Sequence, residues 1–205
     1  MEEKQNTEMN LSALRKELEE IRDFHLSRWE YLPDIDLYMD QVIGYVDKQL
    51  AVLKNGEERL LTNSMVNNYV KYGTIPKPKG KKYTRSHIAR LMPICVLKSV
   101  MPLTTVSAGI EDVRALLPSS EAYDRYCKSQ EDALHRAAAR ALSAFEGEER
   151  SGEERLNELE FIAFGLAVEA AAHRAVVERI FDYVKKERAS AVQEEGRRHG
   201  TEGKK

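Results

Sequence analysis

Leu61-Thr62-Asn63-Ser64-Met65-Val66-Asn67-Asn68-Tyr69-Val70-Lys71-Tyr72-Gly73-Thr74-Ile75-Pro76-Lys77-Pro78, followed closely by Lys81-Lys82-Tyr83-Thr84, is the stretch on which the reading of this chain turns. Thr62 is a good helix N-cap and Gly73 a good C-terminal stop. Between them the spacing predicts a short helix from Asn63 to about Tyr72, with Met65, Val66, Tyr69 and Val70 as inward candidates. Pro76 and Pro78 lack a backbone donor and restrict the residues before them, so residues 74–82 form a loop or a two-stranded wing rather than helix. Thr84 then caps a further helix through Ile88, Leu91, Met92, Cys95 and Val96, with a kink expected at Pro93 and an end at Pro102.

The polar residues of this stretch suit a nucleic acid. Asn63, Ser64, Asn67 and Asn68 give the short helix amide and hydroxyl groups, and an Asn amide both donates and accepts, which matches the major-groove edge of adenine. Asn63 and Asn67 share one face and Ser64 and Asn68 another, so one pair is expected to read bases and the other to sit near backbone or core. Lys71, Lys77, Lys79, Lys81, Lys82 and Arg85 suit phosphates. Tyr69 and Tyr83 either pack in the core, reach a phosphate with the hydroxyl, or do both.

Charge sharpens this. The net charge of the 205-residue chain is only -2, yet no Asp or Glu occurs between Glu58 and Glu111. The same interval holds nine basic residues, with Arg59, Arg90 and Lys98 completing the set above. Solubility alone does not require so long a carboxylate-free stretch, so a polyanionic partner is the expectation.

Upstream, Leu11, Leu14, Leu18 and Ile21 predict an amphipathic helix around Asn10 to Arg28, ended by Pro33. Asp34 or Asp36 can cap the next helix, whose apolar face is Leu37, Ile43 or Val42, Val46, Leu50 and Leu53, with a turn at Asn55-Gly56. Downstream, Thr104 or Thr105 starts a helix bearing Val106, Ile110, Val113, Leu116 and Leu117. An alanine-rich helix runs from about Glu121 to Phe145. A charged linker from Gly147 to Gly152 leads to a last helix, ending at about Arg188, with a capping box of Ser151 and Glu154. From Phe161 to Phe181 this last helix is apolar nearly all round and must be covered. The polar tail from Glu194 is expected to be disordered.

The order of a short helix ending in Tyr-Gly, an Ile-Pro step, a basic wing ending in Tyr83 and a capped helix resembles the winged helix-turn-helix of MerR-type regulators, as does Leu103-Thr104-Thr105-Val106 to Ile110 downstream. More closely, Leu32-Pro33-Asp34-Ile35-Asp36-Leu37-Tyr38-Met39-Asp40-Gln41, Asn67-Asn68-Tyr69-Val70-Lys71 and Lys81-Lys82-Tyr83 resemble an uncharacterised bacterial family, domain of unknown function 1836, over roughly Leu32 to Leu117. Two features depart from the MerR pattern. The gap from Lys54 to Arg59 is longer than a tight helix-turn-helix turn, and the wing carries lysines but no arginine.

The expected architecture is therefore all-α. It has an N-terminal amphipathic helix (1–30), a MerR-like winged helix-turn-helix (31–118), a C-terminal helical hairpin of long helices (119–192) and a disordered tail (193–205). The expected function is a DNA-binding transcriptional regulator, with double-stranded DNA as partner. The alternative is a non-enzymatic interaction module on the same scaffold. The C-terminal helices are expected to form a homodimer, with capture of a small apolar ligand as the other use of that surface.

Several classes are set aside on the residues. The five His residues share no ligand spacing, and Cys95 and Cys127 read as buried thiols of a reducing compartment. No serine or cysteine has a recognisable base partner, so no enzyme and no cofactor or metal are expected. The opening Met1-Glu2-Glu3-Lys4 lacks the pattern of a signal peptide and no stretch is apolar enough to span a membrane, which makes the cytoplasm the expected location.

Overall fold

Helix-forming sequence punctuated by proline and glycine produces a mostly helical chain. The computed structural model describes residues 2–54, 56, 59–147 and 150–202. The elements are α1 (Glu2–Arg22), β1 (Leu37–Tyr38), α2 (Met39–Gln49), α3 (Asn63–Lys71), β2 (Lys82–Tyr83), α4 (Arg85–Leu97), α5 (Leu103–Leu116), α6 (Ser119–Leu142) and α7 (Gly152–Glu202). Single 3-10 turns lie at Trp29–Tyr31, Ala51–Leu53 and Ser143–Phe145. β1 and β2 pair antiparallel, Leu37 opposite Tyr83 and Tyr38 opposite Lys82. Asn55, Glu57 and Glu58 of the expected turn and gap lie outside the described residues, as do Glu148 and Glu149 of the charged linker.

The chain divides into two compact units, Met1–Leu166 and Ala167–Lys205. The boundaries expected at 30 and 118 both fall inside the first unit. Its core is built from Val42, Ile43 and Val46 of α2 with Leu50 at its C-cap, Val66 and Tyr69 of α3, and Ile88, Leu91, Met92 and Ile94 of α4. Each such aliphatic side chain stabilises the fold by about 1.5–3 kcal/mol when fully buried. Pro93 lies inside α4, which nevertheless continues to Leu97.

α1 stops at Arg22, six residues before the expected end, because the segment after it finds other partners for its backbone. Phe24 O meets His135 Nε2 at 2.7 Å. Leu26 N–H donates to Glu131 Oε1 at 2.7 Å, Ser27 N–H to Gln49 Oε1 at 3.0 Å and Trp29 N–H to Asp124 Oδ1 at 2.7 Å. Arg28 closes the set with a bidentate pair to Glu131, 2.6 Å on each oxygen. Glu131 is only 4% exposed. Burial alone would raise its carboxyl, but the bonds from Arg28 and from Leu26 N–H outweigh that and hold it below the usual carboxylate range.

Other ends differ from expectation for local reasons. α2 is not capped by Asp34 or Asp36, because Leu37 and Tyr38 are used as a strand. Tyr38 is the N-cap, and its N–H donates to Gln41 Oε1 at 2.9 Å. α4 stops at Leu97 instead of Pro102, and α5 starts at Leu103 with Pro102 at the cap instead of Thr104 or Thr105. Proline at a helix start loses no hydrogen bond, since the first donors have no partner within the helix.

The expected hairpin of the last two helices takes another form. The long partner of α6 is α1. The first turns of α7 close the end of this pair, where Ile162 joins Ala141 and Ala144 with Leu18, Leu159 and Leu166 against them. Ser151 and Glu154 form the expected capping box, Ser151 N–H to Glu154 Oε2 at 2.7 Å and Glu154 N–H to Ser151 Oγ at 3.2 Å. α7 then continues to Glu202, through the tail expected to be disordered. No proline follows Pro118, and the residues after Gly152 are rich in good helix formers.

Candidate nucleic-acid interface

α3 is set by its ends. Thr62 Oγ1 accepts from Met65 N–H at 3.3 Å, and Gly73 takes φ +72, a left-handed stop suited to glycine. Val66 and Tyr69 point into the core. Ser64, Asn67, Asn68 and Lys71 are all exposed and recur at steps of three and four, so they form one solvent-facing stripe. The expected division into an outward and an inward pair therefore does not hold, because the inward side is already filled by Val66 and Tyr69. Asn63 is exposed too, and its Nδ2 donates to Asp40 Oδ1 at 3.3 Å, tying the start of α3 to the start of α2.

The basic loop is a tight hairpin. Lys79 and Lys82 face each other in an isolated antiparallel bridge, with Lys82 N–H donating to Lys79 O at 3.0 Å. The two residues between them, Gly80 (φ +57) and Lys81 (φ +61), both lie at positive φ, the signature of a type I′ turn. The expected loop or wing is thus a two-stranded hairpin whose base pairs with β1. Ile75 N–H donates to Tyr69 O at 3.2 Å and joins the start of this segment to the end of α3. Lys82 Nζ lies 5.5 Å from the ring of Tyr38, the N-cap of α2. Hairpin and stripe are therefore both anchored at the first turn of α2.

The nine basic residues fall into two groups. Arg90 pairs with Glu111, Arg59 reaches Asp47 at 4.0 Å, and Lys98 Nζ donates to Leu60 O at 2.7 Å. Arg85 stacks over the ring of Trp29 at 5.9 Å and its Nε donates to Pro33 O at 3.5 Å. Those four are engaged by the fold. Lys71, Lys77, Lys79, Lys81 and Lys82 are exposed, and among the described residues none has a carboxylate within ion-pair distance. Five unneutralised positive charges on a stripe and a hairpin make a positive surface.

Three of the expected contact residues belong elsewhere. Tyr69 and Tyr83 are 5% and 2% exposed, and burial pushes both phenols up. They hold α3 and the hairpin in place from beneath and offer no surface to a ligand. Arg85 is committed to Trp29. Conversely, Tyr38 and Tyr72 are exposed beside Lys82 and Lys71, the latter 5.5 Å from the Tyr72 ring. The neighbouring Lys71-Tyr72 in the sequence was the available signal for Tyr72. Nothing local marked Tyr38, which faces out only because Leu37 faces in.

Under the hairpin, His87 makes an unusual capping partner. Its Nδ1 lies 3.0 Å from Thr84 N–H and 2.9 Å from Thr84 Oγ1, and its ring meets that of Tyr83 edge-on at 5.4 Å. Burial, the largest influence, pushes the imidazole below its ordinary value. A neutral ring is what the cap needs, since Nδ1 must be free to accept from Thr84 N–H. Burial also pushes the Cys95 thiol up to about 12 and that of Cys127 to about 11, so both stay protonated. Among the described residues no group of three His, Cys, Asp or Glu side chains is arranged to hold a metal ion, and no helix is long and apolar enough to cross a membrane.

No curated protein and no solved structure matches this chain. The segment that does match a known family begins at Ser27 and ends at Lys128, and its two ends meet where Cys127 Sγ donates to Ser27 O at 3.9 Å. It contains the whole basic hairpin and the α3 stripe, and of the α6 side chains that pin residues 24–29 it holds Asp124 and Cys127 but not Glu131 or His135. Residues 27–128 match the model of the family DUF1836, a domain of unknown function.

Proposed function

We propose that residues 31–118 are a winged helix-turn-helix of MerR type that binds double-stranded DNA and serves a transcriptional regulator without enzymatic activity. In this reading α2 is the supporting helix, α3 the reading helix and residues 74–83 the wing. The observation that carries it is the sorting of the basic residues. The fold engages Arg59, Arg85, Arg90 and Lys98 and leaves five lysines unpaired, on the two elements that would meet the major groove and the flanking phosphates. Ser64, Asn67 and Asn68 face outward between them and can bond base edges. The buried, reduced cysteines support a cytoplasmic setting.

A titration of duplex DNA against the full chain over a range of salt tests this. Four wing lysines on phosphates give a log-affinity against log-salt slope of at least about -3.6. No binding at low salt, or a flat salt response, removes DNA as the partner. The second reading, an interaction module on the same scaffold, is favoured by a different observation, the exposed Tyr31 and Ile35 just before β1. It predicts a protein partner whose binding survives neutralisation of the hairpin.

A further inference from the structure

The last helix carries an apolar face that is open along much of its length. Phe161, Phe164, Val168, Ala172, Val176, Ile180 and Tyr183 recur at steps of three and four along α7. Phe161 and Phe164 are 77% and 73% exposed, and the four larger side chains after them are each more than half exposed. The stripe is about 33 Å long at about 1.5 Å per residue. Its mean step is close to the spacing of about 3.67 residues of an eleven-residue repeat, which gives a paired helix a right-handed supercoil.

We infer that α7 pairs with α7 of a second copy of this chain, antiparallel, with the twofold axis at Ala172. Two observations select this occupant. The first is the symmetry of the stripe about Ala172. In an antiparallel pair centred there, Phe161 lies at the height of Tyr183, Phe164 at that of Ile180 and Val168 at that of Val176. Large side chains then meet at both ends, and Ala172 meets its own copy at the centre, where the backbones can approach. An isologous interface requires this reciprocity.

The second is charge. Glu158 and Glu160 lie at the early end of the stripe and Lys185 and Lys186 at the late end, all four exposed and without an ion pair among the described residues. Antiparallel pairing sets Glu158 level with Lys186 and Glu160 beside Lys185, whereas parallel pairing sets like charges together. Arg179 lies within the stripe, about 20° from Ala172 around the helix, and folds its guanidinium back to Ala175 O at 3.0 Å, which leaves its methylenes for packing. Two copies bring six aromatic rings to the interface, each able to bury about 150–250 Å². That is enough to reach the ~1,200 Å² at which stable interfaces begin.

The pairing does not depend on what α3 and the hairpin bind, and it is tested without DNA. Sedimentation of the full chain at high micromolar concentration is expected to show twice the 23.4 kDa chain mass. Three cysteine variants then report the register under mild oxidation, since the native thiols are buried. Ala172→Cys should link to itself, Val168→Cys should not, and Val168→Cys mixed with Val176→Cys should. A 23.4 kDa species at every concentration overturns the pairing. Self-linking of Val168→Cys as efficient as that of Ala172→Cys overturns the antiparallel register. Either failure leaves salt-dependent DNA binding untouched.

Discussion

The segment of residues 24–29 and the hairpin of residues 77–82 are both irregular, polar and charged, and they are treated in opposite ways. In the first, Phe24 O and the N–H groups of Leu26, Ser27 and Trp29 meet side chains of α6 or α2, and Arg28 meets Glu131 with two short bonds. In the second, four lysines project from a tight turn and none is neutralised within the described residues. A charge that is paired and buried does structural work, and its removal leaves the other charge stranded. Like charges gathered without a counterion raise the energy of the isolated chain, so such a cluster makes sense through what it binds.

Exchanging the two treatments gives the largest effects. Glu131→Gln keeps the shape and removes the charge opposite Arg28. Breaking a buried pair costs about 3–5 kcal/mol, and the value should fall near the lower end because the Arg28 side chain is still 35% exposed. Denaturant unfolding measures it. The same pair gives the acid limb its sign. The folded carboxyl lies below its ordinary value of 4.5, so its stabilisation is present above that pH and is lost as pH falls through the folded value. Glu131→Gln should flatten that limb. Neutralising Lys77 or Lys79 should instead leave stability within about 0.5 kcal/mol.

The exposed stripe of α3 comes next. Asn67→Ala and Asn68→Ala should each reduce discrimination between cognate and altered sites by about 1–3 kcal/mol if that side chain holds a base. Their affinity for random duplex should be unchanged. Equal losses on all sequences would move α3 from reading bases to holding phosphates.

Much of this contrast is legible in the amino-acid sequence. Thr62, Gly73 and the Ser151–Glu154 box mark ends through local chemistry, and the ends are where those residues place them. The two prolines and the lysines announced the basic hairpin. The stop of α1 at Arg22 was not legible, because its cause lies about a hundred residues away in Asp124, Glu131 and His135. The N-cap at Tyr38 was hidden likewise, since Asp34 and Asp36 look better until β2 claims Leu37 and Tyr38 as a strand. At the site, the lysines and amides could be named from residue type alone. The inward turn of Tyr69 and Tyr83 could not, because an aromatic beside lysines suits a core and a ligand equally well.

Smaller effects refine the hairpin. Lys81 holds φ +61 without being glycine, which disfavours it by about 1–2 kcal/mol relative to glycine. Part of that is offset by the greater freedom of glycine in the unfolded chain, so Lys81→Gly should raise stability by about 0.5–1 kcal/mol. It should also make the salt slope shallower by about one unit. Thermal unfolding and DNA titration check the two halves of that prediction separately.

His87 gives the hairpin a pH dependence of its own. Its folded value lies below the ordinary 6.5, so its stabilisation is complete above that pH and is lost as pH falls from there through the folded value. Protonation puts a hydrogen on Nδ1 and ends acceptance from Thr84 N–H. The protection factor of the Thr84 amide, its exchange rate relative to that of an unprotected amide at the same pH, should fall as pH drops below the ordinary 6.5 through the folded value. An unchanged protection factor would mean that the cap does not hold the hairpin's base.

The sorting of charges itself is tested most directly by one pair of titrations. Wild-type chain and the variant with Lys77, Lys79, Lys81 and Lys82 all changed to Ala are bound to the same duplex over the same salt series. The variant should keep wild-type stability to within about 1 kcal/mol, bind more weakly on every sequence, and show a slope shallower by about 3.6 per bound module. A variant that folds and binds with unchanged affinity and slope would contradict the claim that the unpaired lysines are there for phosphate.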